Sequence, residues 1–133
     1  MAIAFNINTG SNAPIYQQIT AQVRLAVAVG KLAVGDQLPS VRGLAEELFV
    51  NPNTVARAYA DLMREGLIES RAGRGVFITR KRKVFSRAEG RRRLEPQLDA
   101  LIGEAMTLDF TREELREAFE EKLRQWKPPK EDH

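Results

Sequence analysis

Three stretches in fixed order restrict what this chain can fold into: L-P-S-V-R-G-L-A-E-E-L from Leu38, N-P-N-T-V-A-R-A-Y-A-D-L from Asn51, and E-G-L-I-E-S-R-A-G-R-G-V-F-I-T from Glu65. Ser40, after Pro39, is a good N-cap for a short helix whose Val41, Leu44, Ala45 and Leu48 form one apolar stripe. Asn51 caps a second helix with Pro52 at its first position. There Val55, Tyr59 and Leu62 supply the apolar face and Gly66 the C-terminal stop. Leu67 and Ile68, then Val76, Phe77 and Ile78, read as two strands flanking R-A-G-R-G, whose glycines can take positive φ in a tight hairpin. Two short helices joined by a turn and followed by a hairpin make a winged helix-turn-helix, an arrangement suited to placing its second helix in a DNA major groove.

On the N-terminal side, Pro14 suits the first turn of a helix expected over about 14 to 29, with Ile15, Ile19, Val23, Ala26 and Val27 at helical spacing before Gly30. Beyond Thr79, Ser86 and Glu89 have capping-box spacing, and Leu94, Leu98, Leu101, Ile102 and Ala105 form a stripe. Pro96 inside that segment costs about 3 kcal/mol in a helix interior, which predicts a kink or break near residue 95. Thr111 and Glu114 form another capping box with Phe110 and Leu115 as a hydrophobic staple. Leu115, Phe119, Leu123 and Trp126 continue one face until Pro128 and Pro129. The predicted fold is mainly α with a small β-hairpin. Its parts are a lead-in over 1–11, a winged helix-turn-helix over 12–80, a helical region over 81–127 and a polar tail over 128–133.

The chain has 133 residues, 43% of them apolar, enough for one ordinary domain or a small one with an appendage. No apolar run reaches the ~18 residues of a membrane span. The opening M-A-I-A-F-N does not read as a secretory signal, so a cytoplasmic location is expected. With no cysteine and a single terminal histidine, His133, neither a metal nor any other cofactor is expected. Charge is unevenly spread. Lys and Arg number eight against six Asp and Glu in 1–80, seven against one in 81–93, and six against eleven in 94–133. That suits a phosphate-facing front, a basic junction and an acidic C-terminal part.

With Val55, Tyr59 and Leu62 turned inward, Asn53, Thr54 and Arg57 fall on the other side of their helix, toward its N-terminus. Asn can pair with adenine, Arg with guanine, and Thr can meet a base or a thymine methyl. Asn51, at the same end, is a further candidate DNA contact; the blander alternative makes it only a cap and Arg57 a partner of Asp61. Ser40 and Arg42 stand where a helix N-terminus attracts phosphate, although Arg42 could instead pair with Glu46. Gly73, Arg74 and Gly75 place one cation between two unobstructed residues, which suits a narrow minor groove or simply a solvated hairpin tip. The run Arg80, Lys81, Arg82, Lys83, Arg87, Arg91, Arg92 and Arg93 could touch further phosphates or stay hydrated. Glu113, Glu114, Glu117, Glu120 and Glu121 read as the wet side of an amphipathic helix. No nucleophile with a base and no Walker loop is present, so no enzyme is expected.

The L-P-S-x-R-x-L-A, T-V-x-R-A-Y-x-x-L and E-G-L-I motifs with the G-x-G wing strongly resemble the DNA-binding domain of the GntR family of bacterial transcription regulators over roughly residues 12 to 80. The resemblance implies DNA contacts by Arg42 and by the N-terminal end of the helix after Asn51. Roughly fifty residues after the wing are few for an effector domain, so the chain looks like the short YtrA-type subfamily, in which C-terminal helices dimerise. The expected function is sequence-specific binding of a two-fold, double-stranded operator by a homodimeric repressor, with any small-molecule effector unknown. The dimerising residues would be Leu94, Leu98, Leu101, Ile102, Leu108, Leu115, Phe119, Leu123 and Trp126. Two other classes compete: a winged-helix module that binds protein without reading DNA, and a fragment of an aminotransferase-fused relative. The second is disfavoured by the lack of a cofactor lysine region.

Overall fold

A computed structural model describes residues 4–80 and 86–126, which fall into two compact units. In the first unit, helix α1 spans Ile15–Ala28, strand β1 Gln37–Leu38, helix α2 Val41–Leu48, helix α3 Pro52–Arg64, strand β2 Ile68–Arg71 and strand β3 Gly75–Ile78. The lead-in lies against α1. Phe5 and Ile7 pack on the core, and the carboxamides of Gln22 and Gln18 bond the backbone of Asn6 and Asn8 as a neighbouring strand would. Pro14 is the residue before α1 rather than inside its first turn, and its carbonyl accepts from the N–H groups of Gln17 and Gln18.

The caps read from sequence close α2 and α3. Ser40 Oγ accepts from the Gly43 N–H at 2.9 Å, and Asn51 Oδ1 from the Asn53 N–H at 2.8 Å. These bonds satisfy amides that a helix start otherwise leaves open. Between the helices Phe49 adopts φ +57°, a left-handed conformation unusual for a bulky residue, and the residue is 94% exposed. Ile19 and Val23 of α1, Leu44 and Ala45 of α2, and Val55, Ala58, Tyr59 and Leu62 of α3 form one core with Leu32, Leu38, Ile68 and Ile78.

The wing differs from the two-stranded hairpin expected. It is a three-stranded antiparallel sheet in the order β1-β3-β2, with Leu38 opposite Val76 and Ile68 opposite Ile78. β1 is only two residues long, between Asp36 and Pro39, and two residues display no alternation for a sequence reading to detect.

Tyr59 is buried, and its hydroxyl donates to the Pro39 carbonyl at 2.8 Å, tying α3 to the residue before the α2 cap. Burial, aided by the negative charge of Glu47, raises the phenol pKa well above its ordinary value. The raised folded-state pKa favours the neutral form, so this contribution is fully present below the unfolded pKa of about 10 and is lost as pH rises beyond it. Tyr59→Phe is expected to cost about 1 kcal/mol at neutral pH and to flatten the alkaline loss of stability, both measured by urea unfolding between neutral pH and pH ~11. An alkaline decline identical to the parent's would assign the titration to other groups.

The second unit holds helix α4, Arg87–Thr107, and helix α5, Arg112–Gln125. Of the kink or break expected near residue 95, no break occurs: α4 runs as one helix through Pro96. Proline removes the donor to the Arg92 carbonyl and crowds that oxygen with its ring, and because this stretch is exposed the carbonyl can turn outward and bond water instead. Charge pairs also span the region: Arg91 with Glu95 at 3.3 Å, and Glu89 with Arg92 and Arg93. The Ser86 box forms by half. Ser86 Oγ accepts from the Glu89 N–H, while the Glu89 carboxylate turns to the two arginines. The Thr111–Glu114 box is complete, and its hydrogen bonds from Thr111 hold the Glu114 carboxyl below its ordinary pKa. Ala105 is the only buried residue among those described in this unit. Leu94, Leu98, Leu101, Ile102, Leu108, Phe110, Phe119, Leu123 and Trp126 are all exposed, and Leu115 is half-buried.

Candidate nucleic-acid interface

Three parts of the first unit carry the residues singled out from sequence. At the start of α2, the Ser40 oxygen is occupied by the Gly43 amide, and a Cβ on Gly43 would lie 2.9 Å from that oxygen, so glycine there lets the cap close. The Ser40 hydroxyl hydrogen is still available to an acceptor such as phosphate. Arg42 is exposed, and among the described residues it makes no ion pair with Glu46, so the competing pairing does not form.

At the start of α3, Asn51 is both exposed and a cap, its oxygen committed to Asn53 and its NH₂ left over. Asn53 is exposed and Thr54 half-buried. The first-turn amides and the helix dipole make this end electropositive. Arg57, one turn on, is exposed and does not pair with Asp61, whose carboxylate bonds Arg64 at 2.9 Å. Its guanidinium lies instead over the ring of Tyr16 on α1, 3.8 Å from the ring centroid. Asn53 and Arg57 stand four residues apart and so share one face of α3.

In the wing, the Arg74 N–H bonds the Arg71 carbonyl at 2.9 Å across a turn whose third residue, Gly73, has φ +73°. A positive φ there is what a type II turn requires. Gly75 has φ +117°, and a Cβ on it would meet Gln37 Nε2 at 2.6 Å. That nitrogen donates to the Arg74 carbonyl at 3.0 Å, holding the tip from β1. Arg71 pairs with Glu69 at 2.8 Å and stacks on Phe77 at 4.5 Å. The Arg74 side chain is exposed and makes no hydrogen bond or ion pair among the described residues.

Two residues of this surface escaped the sequence reading. Tyr16 stands in P-I-Y-Q-Q on a different helix from its arginine, and Gln37 reaches a carbonyl 37 positions away. Neither contact leaves a local signature. In the basic run, Lys81, Arg82 and Lys83 lie outside the described residues, Arg80 is exposed, and Arg91, Arg92 and Arg93 are paired with carboxylates on their own helix. Among the described residues no cluster of acidic, histidine or cysteine side chains could hold a metal, and no helix is long and apolar enough to cross a membrane.

The family model described as "Bacterial regulatory proteins, gntR family" matches residues 15–78. The HTH-type transcriptional repressor YtrA of Bacillus subtilis (strain 168) is 40% identical over 116 residues, covering 86% of this chain and 88% of that protein. A transcriptional antiterminator from Listeria monocytogenes EGD-e superposes with a TM-score of 0.74 at 33% identity, over 90% of this chain and 89% of that one. YtrA from Sulfolobus acidocaldarius, a GntR-family transcription factor, gives a TM-score of 0.53 at 31% identity, over 90% and 97%.

Proposed function

Because this chain belongs to the gntR family of bacterial regulatory proteins, and is thus a DNA-binding transcription regulator and not an enzyme, we propose that it represses transcription by occupying a two-fold operator as a homodimer. Residues 12–80 read the DNA and residues 81–127 pair the protomers. Asn53, Thr54 and Arg57 meet base edges in the major groove, with Asn51 capping the helix that carries them. Ser40 and Arg42 take phosphates, and Arg74, between Gly73 and Gly75, enters the adjoining minor groove. The observation that carries this reading is the set of unspent donors on Arg42, Arg57 and Arg74: each is exposed, and none is engaged by a carboxylate among the described residues. Pairing of protomers rests on the apolar stripes of α4 and α5, most of whose large side chains stay exposed within their own unit. The repressor assignment draws support from the B. subtilis relative, which is named a repressor.

Selection of bound duplexes from a random pool tests sequence-specific binding, and a pool that shows no enrichment would refute it. The wing is tested on the selected duplex. Arg74→Ala removes one phosphate-neutralising cation and is expected to lower the magnitude of the log-affinity against log-salt slope by about 0.9. It should also erase any preference for A·T over G·C flanks, where a narrow groove concentrates negative potential. Titrations at several salt concentrations on both flanks read the two effects. Parental behaviour on both would make the wing a hairpin without a groove contact.

A further inference from the structure

Arg57 must be held in one orientation to present its fork to a base, yet nothing on its own helix holds it. Asp61, at the distance a helical ion pair needs, is bonded to Arg64. What restrains Arg57 is a ring from another helix, with its Cζ 3.8 Å from the Tyr16 centroid. The ring is itself fixed: Tyr16 is half-buried, packs against the core, and its hydroxyl accepts from Gln17 Nε2 at 3.1 Å.

The choice of a ring rather than a carboxylate matters chemically. A carboxylate partner would consume two of the five guanidinium N–H donors and cancel the charge. A ring face attracts the cation through its quadrupole and touches only the flat side of the group, so every N–H in the guanidinium plane stays available. Stacking therefore removes rotamer freedom before DNA arrives and leaves intact the fork that matches the O6 and N7 acceptors of a guanine.

We propose that Tyr16 is a positioning residue for base readout: the α1 ring holds Arg57 in its reading orientation and so sets the discrimination at the base pair that Arg57 meets. The inference rests on the reading of Arg57 as a base contact. Tyr16 acts through Arg57, and its contribution is to specificity rather than to phosphate attraction.

The test uses the full-length chain and the duplex that the parent enriches from a random pool, together with single base-pair substitutions of that duplex. Arg57→Ala first identifies the base pair at which discrimination collapses. At that base pair Tyr16→Leu is expected to reduce discrimination about two- to fivefold, with the salt slope and the preferences elsewhere unchanged. Tyr16→Phe keeps the ring and should keep the parental discrimination. In the Arg57→Ala background, Tyr16→Leu should have no further effect. Helicity and thermal melting establish that each variant is folded. If Tyr16→Leu does not fold, Tyr16→Met, which fills similar space without a ring face, carries the same expectation. A folded Tyr16→Leu with parental discrimination, where Arg57→Ala is defective, overturns the positioning role and leaves the Arg57 reading standing. Parental discrimination by Arg57→Ala overturns both, and a loss by Tyr16→Phe equal to that of Tyr16→Leu overturns the role of the ring.

Discussion

A full-length chain carrying Leu98→Asp and Leu101→Asp is expected to be a folded monomer that binds a two-fold operator on the order of 10²-fold more weakly than the parent. Both leucines are exposed, on a helix where Leu94, Leu98, Leu101, Ile102 and Ala105 form one stripe at helical spacing. Ala105 is the one of these that is buried, so α4 and α5 leave each other's stripes largely in water. Covering one leucine with a second protomer is worth about 1.5–3 kcal/mol, and a carboxylate at the same place must be desolvated instead. The first unit has its own core and is untouched by these changes. Each protomer should therefore still contact its half-site, without the gain that comes from linking two. Light scattering at micromolar concentration and titration of the operator check the two halves of the expectation. A double variant that stays dimeric would move the pairing surface elsewhere, and a monomer with parental affinity would remove the need for pairing.

Asn53→Ala and Arg57→Ala should each lower the preference for one base pair by about 1–3 kcal/mol while binding to unrelated DNA persists. Arg42→Ala should weaken binding to all sequences more evenly, because a phosphate contact positions without reading. The difference follows from where the side chains stand. Asn53 and Arg57 share one face of α3, whereas Arg42 lies at the start of α2 beside the Ser40 cap. Competition binding against a panel of single-substitution duplexes measures it. Unaltered preferences in both α3 variants would relocate the reading surface.

Much of this architecture was legible because its instructions are local. Ser40, the Asn51-Pro52 pair, Gly66 and the Thr111–Glu114 box each act within a few residues, and each takes its expected place. Gly73 and Gly75 have the positive φ that the wing tip needs. What escaped is non-local. β1 is a strand only because β3 lies beside it, and Gln37 matters only because Arg74 is folded next to it. The kink or break expected near Pro96 counted the lost hydrogen bond, and the helix nevertheless continues. That expectation left out the solvent that can replace that bond and the absence of any capping residue near position 95 to end the helix. Arg57 was legible as an exposed cation, but its contact with Tyr16 spans 41 positions in sequence and could be seen only in three dimensions.

The anchor of the wing has a consequence for operator geometry. Gln37 grips the tip through the Arg74 carbonyl, Pro39 accepts the Tyr59 hydroxyl, Ser40 caps α2 and Arg42 follows, so six consecutive positions join the wing to the start of α2. Nothing in that run is long enough to act as a hinge. If the tip and α2 both touch DNA, the stretch works as a fixed calliper, and the protein measures the distance between neighbouring grooves as well as the letters in them. One base pair inserted between the two points of contact would displace one from the other by about 3.4 Å. A half-site with every preferred base in place would then still be refused for being the wrong length.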